Sequence, residues 1–68
     1  MPEYYVSKTA QPNGDHEVHQ TECEHLPAEE NRIYLGVFGD CHSAIAQAKR
    51  YYAKVNGCSS CSQARHTG

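Results

Sequence analysis

The residues best suited to chemistry in this chain are cysteines and histidines, and they fall in close pairs. Among 68 residues there are four Cys and five His. Cys58 and Cys61 form a C-x2-C pair directly after Gly57, and His19 and Cys23 form an H-x3-C pair in VHQTECEHL. Tetrahedral zinc in small domains commonly takes two such pairs, each on a tight turn, with a longer excursion between them. Three thiolates and one neutral imidazole are chemically sufficient. The expectation is therefore a zinc site made by His19, Cys23, Cys58 and Cys61, tying the exit of one element to the exit of another. Cys41, His25, His42 and His66 compete with His19 for the fourth position. The same cysteines also fit a dithiol that cycles with its disulfide, or a metal-free pairing of Cys23 with Cys41 and Cys58 with Cys61.

Other chemical signals are weaker. Cys41 falls at the start of an expected helix, where backbone N–H groups and the dipole lower a thiol pKa and favour reactivity. Its place in an apolar stripe favours burial instead, since unpaired Cys behaves as a small hydrophobe. DHEVH is one residue short of the H-E-x-x-H metalloprotease pattern, and in a strand His16 and His19 point to opposite faces, so that catalytic reading is rejected. His16, His25 and His66 read as solvated. Tyr4, Tyr5, Tyr34, Tyr51 and Tyr52 read as the core and its rim rather than a base-stacking surface, because the chain has no Trp and one Phe. Glu29 and Glu30 have no partner acid suggesting a hydrolase, and they solvate a turn. No catalytic role is expected.

Size explains why a metal is wanted. A chain this short forms one domain, taken here as 1–68, and hides only about 60% of its unfolded surface from water. Such domains commonly need disulfides, a metal or a partner subunit. A formal net charge of −2, with six scattered basic residues, argues against nucleic-acid binding through phosphate neutralisation. No apolar run approaches the roughly 20 residues of a membrane span, and MPEYYVSK lacks a signal-peptide layout. A cytoplasmic monomer is expected, in a compartment where thiols stay reduced and metal binding is favoured over a disulfide framework.

The elements that must carry these residues follow from patterning. EYYVSKT (3–9) and HEVHQ (16–20) read as strands, with Asn13-Gly14 turning between them to make a hairpin. TECEHLPAEE reads as irregular, or as a single turn. In NRIYLGVF, Ile33, Leu35 and Val37 alternate with Arg32, Tyr34 and Gly36, the period of a half-buried third strand. Asp40 is a plausible N-cap for a helix whose Cys41, Ala44, Ile45, Ala48, Tyr51, Tyr52 and Val55 share one face, ending at Asn56-Gly57. The expected fold is α+β: a small three-stranded antiparallel sheet packed by one main helix and stapled by zinc.

With both ligand pairs in view, Val18 to Cys61 resembles the small zinc domain at the N-terminus of Ada-type DNA methylphosphotriester repair proteins. The matching pieces are HQTEC, AEENRIYLGVF, CHSAIAQA and CSSC, covering roughly two thirds of the chain, and they match in spacing more than in identity. In that family all four ligands are Cys, and the first accepts the methyl group. His19 stands at that position here and cannot act as that thiolate, so the resemblance implies the clamp without the repair activity. The family presents basic residues to DNA, whereas here Glu22 and Glu24 flank Cys23. The whole chain also resembles short, stand-alone bacterial proteins of unassigned function. The reading is a non-catalytic, zinc-stabilised binding or interaction module whose partner, a protein rather than a nucleic acid, is not named by the residues. A thiol-redox or metal-handling protein is the competing class, weakened because CSSC is expected to follow a helix instead of opening one.

Overall fold

The computed structural model describes residues 2–57, which form a mixed four-stranded sheet with one helix on one face. In chain order these are β1 (Glu3–Ser7), β2 (His16–Gln20), a single 3-10 turn at Glu29–Asn31, β3 (Arg32–Val37), α1 (Cys41–Ala48) and β4 (Val55–Gly57). The sheet order is β3-β1-β2-β4. The expected hairpin is present, with Tyr4, Tyr5 and Val6 of β1 opposite Gln20, His19 and Val18 of β2. Its turn uses the residues expected for it. Gly14 has φ +93°, a conformation that side-chain-bearing residues rarely adopt, and its N–H donates to the Gln11 carbonyl at 2.8 Å. The Asn13 Oδ1 accepts from the Asp15 N–H at 2.9 Å, the local bond for which Asn is favoured in turns.

Strand β3 pairs antiparallel with β1, as expected, but not with unbroken alternation. The register shifts between Tyr4 and Tyr5, so that Tyr5 faces Tyr34 while Tyr4 faces Gly36. An extra residue in one strand reverses the inward and outward sides beyond it. Ile33 and Leu35 therefore pack inward, whereas Val37, expected on the same face, is half exposed, and Phe38 packs against the core in its stead. Gly36, at φ +127°, supplies the backbone freedom the irregularity needs.

The helix begins as expected: the Asp40 carboxylate accepts from the Ser43 N–H at 2.9 Å. It ends earlier. α1 stops at Ala48, Arg50 and Tyr51 N–H groups turn back to the Gln47 and Ala48 carbonyls, and Val55–Gly57 is a fourth strand parallel to β2 instead of the helix's last turn. The periodicity through Tyr51, Tyr52 and Val55 is real, but aromatic and β-branched residues serve a strand equally well, and an open β2 edge offers their backbone partners. Asn56-Gly57 is accordingly not a helix stop. The chain entering β4 is held at several points: His16 N–H donates to the Lys54 carbonyl at 2.9 Å, Lys54 Nζ to the Asn13 carbonyl at 2.8 Å, and the Tyr52 ring stacks on His16 with centroids 3.6 Å apart. His16, expected in solvent, is thus half-buried, and its Nδ1–H donates to the Ser7 carbonyl at 2.9 Å.

The apolar core lies between the sheet and α1. Tyr4, Val6, Val18, Leu35, Ala44 and Ala48 are buried there, with Ile33, Phe38, Cys41, Ile45, Tyr52 and Val55 packed around them. Of the five tyrosines only Tyr4 is a core residue, while Tyr34 and Tyr51 are about half exposed. Because β2 and β3 run the same way on either side of β1, the segment between them must cross the sheet. It does so on the face away from α1, where Pro27 accepts from Arg32 Nη1 at 3.1 Å. Among the described residues no helix is long and apolar enough to cross a membrane.

Truncating Tyr52 to Ala removes the ring that pins the approach to β4. We expect a loss of about 2 kcal/mol in unfolding free energy. Amide exchange at Val55–Gly57 should accelerate more than exchange at Tyr4–Val6, as measured residue by residue by NMR.

Candidate metal centre

Strand alternation decides which of the histidines and cysteines can meet. Val18 faces α1, so its neighbour His19 faces the opposite side of the sheet. The turn after β2 then bends back under that face: Cys23 N–H donates to the Gln20 carbonyl at 3.0 Å, and Leu26 N–H to the Cys23 carbonyl at 3.1 Å. Two successive tight turns put the Cys23 Sγ 3.5 Å from His19 Nδ1. The sequence spacing H-x3-C thus becomes a side-chain contact, and both residues are buried, His19 at 2% exposure and Cys23 at 9%.

Burial sets the state of the imidazole. Desolvation, with the charge of nearby His25 adding to it, pushes the His19 pKa from 6.5 down to about 4. At neutral pH His19 is therefore uncharged, the form that donates a lone pair to a metal. The other ring nitrogen, Nε2, lies 3.7 Å from a carboxylate oxygen of Glu17, the residue two positions earlier on the same face of β2. His19 Nδ1 and Cys23 Sγ are the two donor atoms that this part of the chain brings together.

The rival ligands are placed elsewhere. Cys41 is half-buried on the α1 side, packed against the apolar core, so the sheet lies between it and His19. This agrees with the hydrophobic reading of Cys41. His42 is exposed at the start of α1, and the exposed His25 lies beside the Glu24 carboxylate at 3.6 Å. Cys58, Cys61 and His66 lie outside the described residues. What the structure does give is the place from which the C-x2-C pair departs: β4 runs parallel to β2 with Asn56 opposite Glu17 and Gly57 opposite Val18, so Cys58 follows a strand rather than a helix. Gly57 is one register step from His19. Among the described residues no group of three or more His, Cys, Asp and Glu side chains is arranged to hold a metal.

Sequence reasoning paired His19 with Cys23 by spacing, and their side chains do meet; it anticipated neither the Glu17 carboxylate near the His19 ring nor the strand β4. An acidic residue two positions before an expected ligand in an expected strand was the available signal for Glu17. No protein-family model, curated protein or solved structure matches the chain.

The depressed pKa fixes the sign of an acid effect. His19 takes a proton more readily in the unfolded chain than in the fold, so its neutral form stabilises fully above about pH 6.5, and that contribution shrinks as pH falls towards 4. A bound metal has the same sign, because protons compete for its ligands. The urea midpoint is expected to be flat above pH 6.5 and to fall below it, with a shallower fall in a His19→Gln variant.

Proposed function

We propose that this chain is a small non-catalytic binding module whose fold is stapled by one zinc ion held by His19, Cys23, Cys58 and Cys61. The single observation that carries this reading is the His19–Cys23 pair. Zinc bonds of about 2.3 Å to sulfur and about 2.0–2.1 Å to nitrogen, at a tetrahedral angle, place the two donor atoms about 3.5 Å apart. Nδ1 and Sγ stand 3.5 Å apart. In the metal-free chain one proton shared between sulfur and nitrogen suffices at that distance, and an ion that replaces it needs little movement of either side chain.

Two further features support the ligand set. Parallel pairing of β4 with β2 directs the chain to the C-x2-C pair from beside the strand that carries His19. Among the described residues the buried apolar cluster lies on one face of the sheet, and four of its six side chains are Val or Ala, so a cross-link on the other face would supply what a thin interior lacks. Zinc in a site closed by four protein ligands has no open position for substrate, which assigns it a structural role. The net charge of −2 favours a protein partner over nucleic acid. The likeness to the Ada-type zinc domain, on this reading, extends to the clamp and stops short of methyl transfer.

Native mass spectrometry of protein purified without chelator should show one zinc per chain. A mass lower by two or four protons with no metal would instead identify the disulfide form. Cys23→Ser and Cys58→Ser should each abolish zinc retention and lower the thermal midpoint. Cys41→Ser, on the far side of the sheet, should retain the metal; its loss there would sink the ligand assignment.

A further inference from the structure

The sheet has two edge strands, and among the described residues neither is covered by another strand: β4, with three residues, and β3, with six. The longer edge has backbone groups turned outward. Lys8 N–H donates to the Asn31 carbonyl at 2.9 Å, which makes that couple a hydrogen-bonded one, and in antiparallel ladders such couples alternate with non-bonded ones. Ser7–Arg32 and Tyr5–Tyr34 are then of the non-bonded kind, so the N–H and C=O groups of Arg32 and Tyr34 point away from β1. Towards the other end Phe38 N–H donates to the Pro2 carbonyl at 3.2 Å, and the same alternation turns the groups of Val37 outward. The register shift between them shortens the regular stretch. A row of outward N–H and C=O groups is a template for an added strand.

Charge indicates what fits there. Beside β3, on the sheet face away from α1, Glu3, Tyr5, Glu29, Arg32 and Tyr34 line an open recess of about 320 Å³. Two carboxylates face one guanidinium in it, and that guanidinium is already engaged: its carbon lies 4.5 Å from the Tyr5 ring centroid, and Nη1 donates to the Pro27 carbonyl at 3.1 Å. Glu3 and Glu29 are exposed, and the half-exposed Tyr34 ring is tilted against Tyr5 with centroids 5.4 Å apart. The segment that crosses this face adds Glu22, Glu24 and Glu30, all exposed, and the sequence has no Lys or Arg between Lys8 and Arg32. The exposed Lys49, Arg50 and Lys54 follow α1 instead. A basic side chain suits carboxylates and an aromatic face together. A second copy of the chain would bring the same excess of carboxylates to the same edge, and like charges set opposite each other disfavour it.

We propose that the outer edge of β3 docks a short extended segment of another protein that carries Lys or Arg at alternate positions. Its backbone pairs with Arg32, Tyr34 and Val37, and a basic side chain enters the recess between Tyr34, Glu3 and Glu29. Alternate positions are required because every second residue of an added strand faces the same side. This rests on the binding-module part of the reading above, naming its surface and partner class, and makes no use of the zinc.

The probe is an acetylated, amidated hexapeptide of alternating lysine and valine, titrated into the whole 15N-labelled chain and followed by NMR. A glutamate–valine hexapeptide and a backbone N-methylated lysine–valine hexapeptide serve as controls. The lysine–valine peptide should shift the amides of Arg32, Tyr34 and Val37 and slow their exchange. It should bind about tenfold or more tightly than the glutamate–valine peptide, with a margin that narrows as salt is added. N-methylation should abolish binding, because the added strand loses its donors. Glu29→Gln, at an exposed turn position, should weaken the lysine–valine peptide about threefold, and Glu29→Lys more. Equal affinity for the two charged peptides, an unchanged preference in Glu29→Lys, or shifts centred on Val55–Gly57 overturns the proposal. Slow exchange of the Tyr34 amide before any peptide is added also overturns it, since the edge would already be occupied. So do β3 shifts that grow with protein concentration alone, which assign the edge to a second copy. Zinc content is measured on the same sample. A chain that holds zinc but shows no β3 shift at about 1 mM peptide loses the docking site and keeps the metal centre, and one that lacks zinc but binds the peptide loses the metal centre alone.

Discussion

The pairing of β4 with β2 is the constraint on which the rest of this molecule depends. A parallel pair needs a crossover, and here the segment after β2, β3 and α1 supply it, taking the chain to the β3 edge of the sheet and back to the opposite edge at β4. Among the described residues three of β4 pair with β2, a short contact. Their attachment is shared with the hairpin turn and the His16–Tyr52 stack, so local turn chemistry and the long-range pairing support one another. If that attachment failed, α1 would lose one of the four strands it packs on, and Gly57 would no longer lie beside Val18.

The two faces of the sheet then do different work. The α1 face is apolar and supplies the burial that a small domain can manage, with alanines letting the helix approach closely. The other face is crossed by the segment from β2 to β3 and holds polar groups in positions where burial must be compensated: Ser7, His19 and Asn56 are all buried. Ser7 is engaged by its hydroxyl with the Thr9 backbone, and Asn56 with the Gly57 N–H. His19 meets Cys23. Polar burial of this kind is costly without partners, and among the described residues it concentrates on the face away from the core, where each of the three side chains is hydrogen-bonded.

Much of this was legible in the residue order. The hairpin could be read because alternation and Asn13-Gly14 agree, and the start of the helix because Asp40 precedes an apolar stripe. His19 and Cys23 could be singled out by type and spacing. The helix's end could not be read, since Tyr51, Tyr52 and Val55 satisfy a helical period and a strand preference together, and only the vacant edge of β2 breaks the tie. Nor could the side switch at Gly36, which moves Val37 outward, be seen in a pattern that alternates without fault along the sequence. His16 looked solvated because its shelter is a ring donated from beyond the helix.

The sequence alone therefore determined the local events: where the chain turns, where a helix starts, and which side chains carry donor atoms. These depend on neighbours within a few positions, which residue order states directly. Tertiary structure decided which donors meet, because that depends on strand register and on which face each side chain takes. A one-residue change in either would carry His19 to the other side of the sheet. The pairing of Val18 with Gly57, the separation of Cys41 from His19 and the place of Glu17 behind the ring are all consequences of that register.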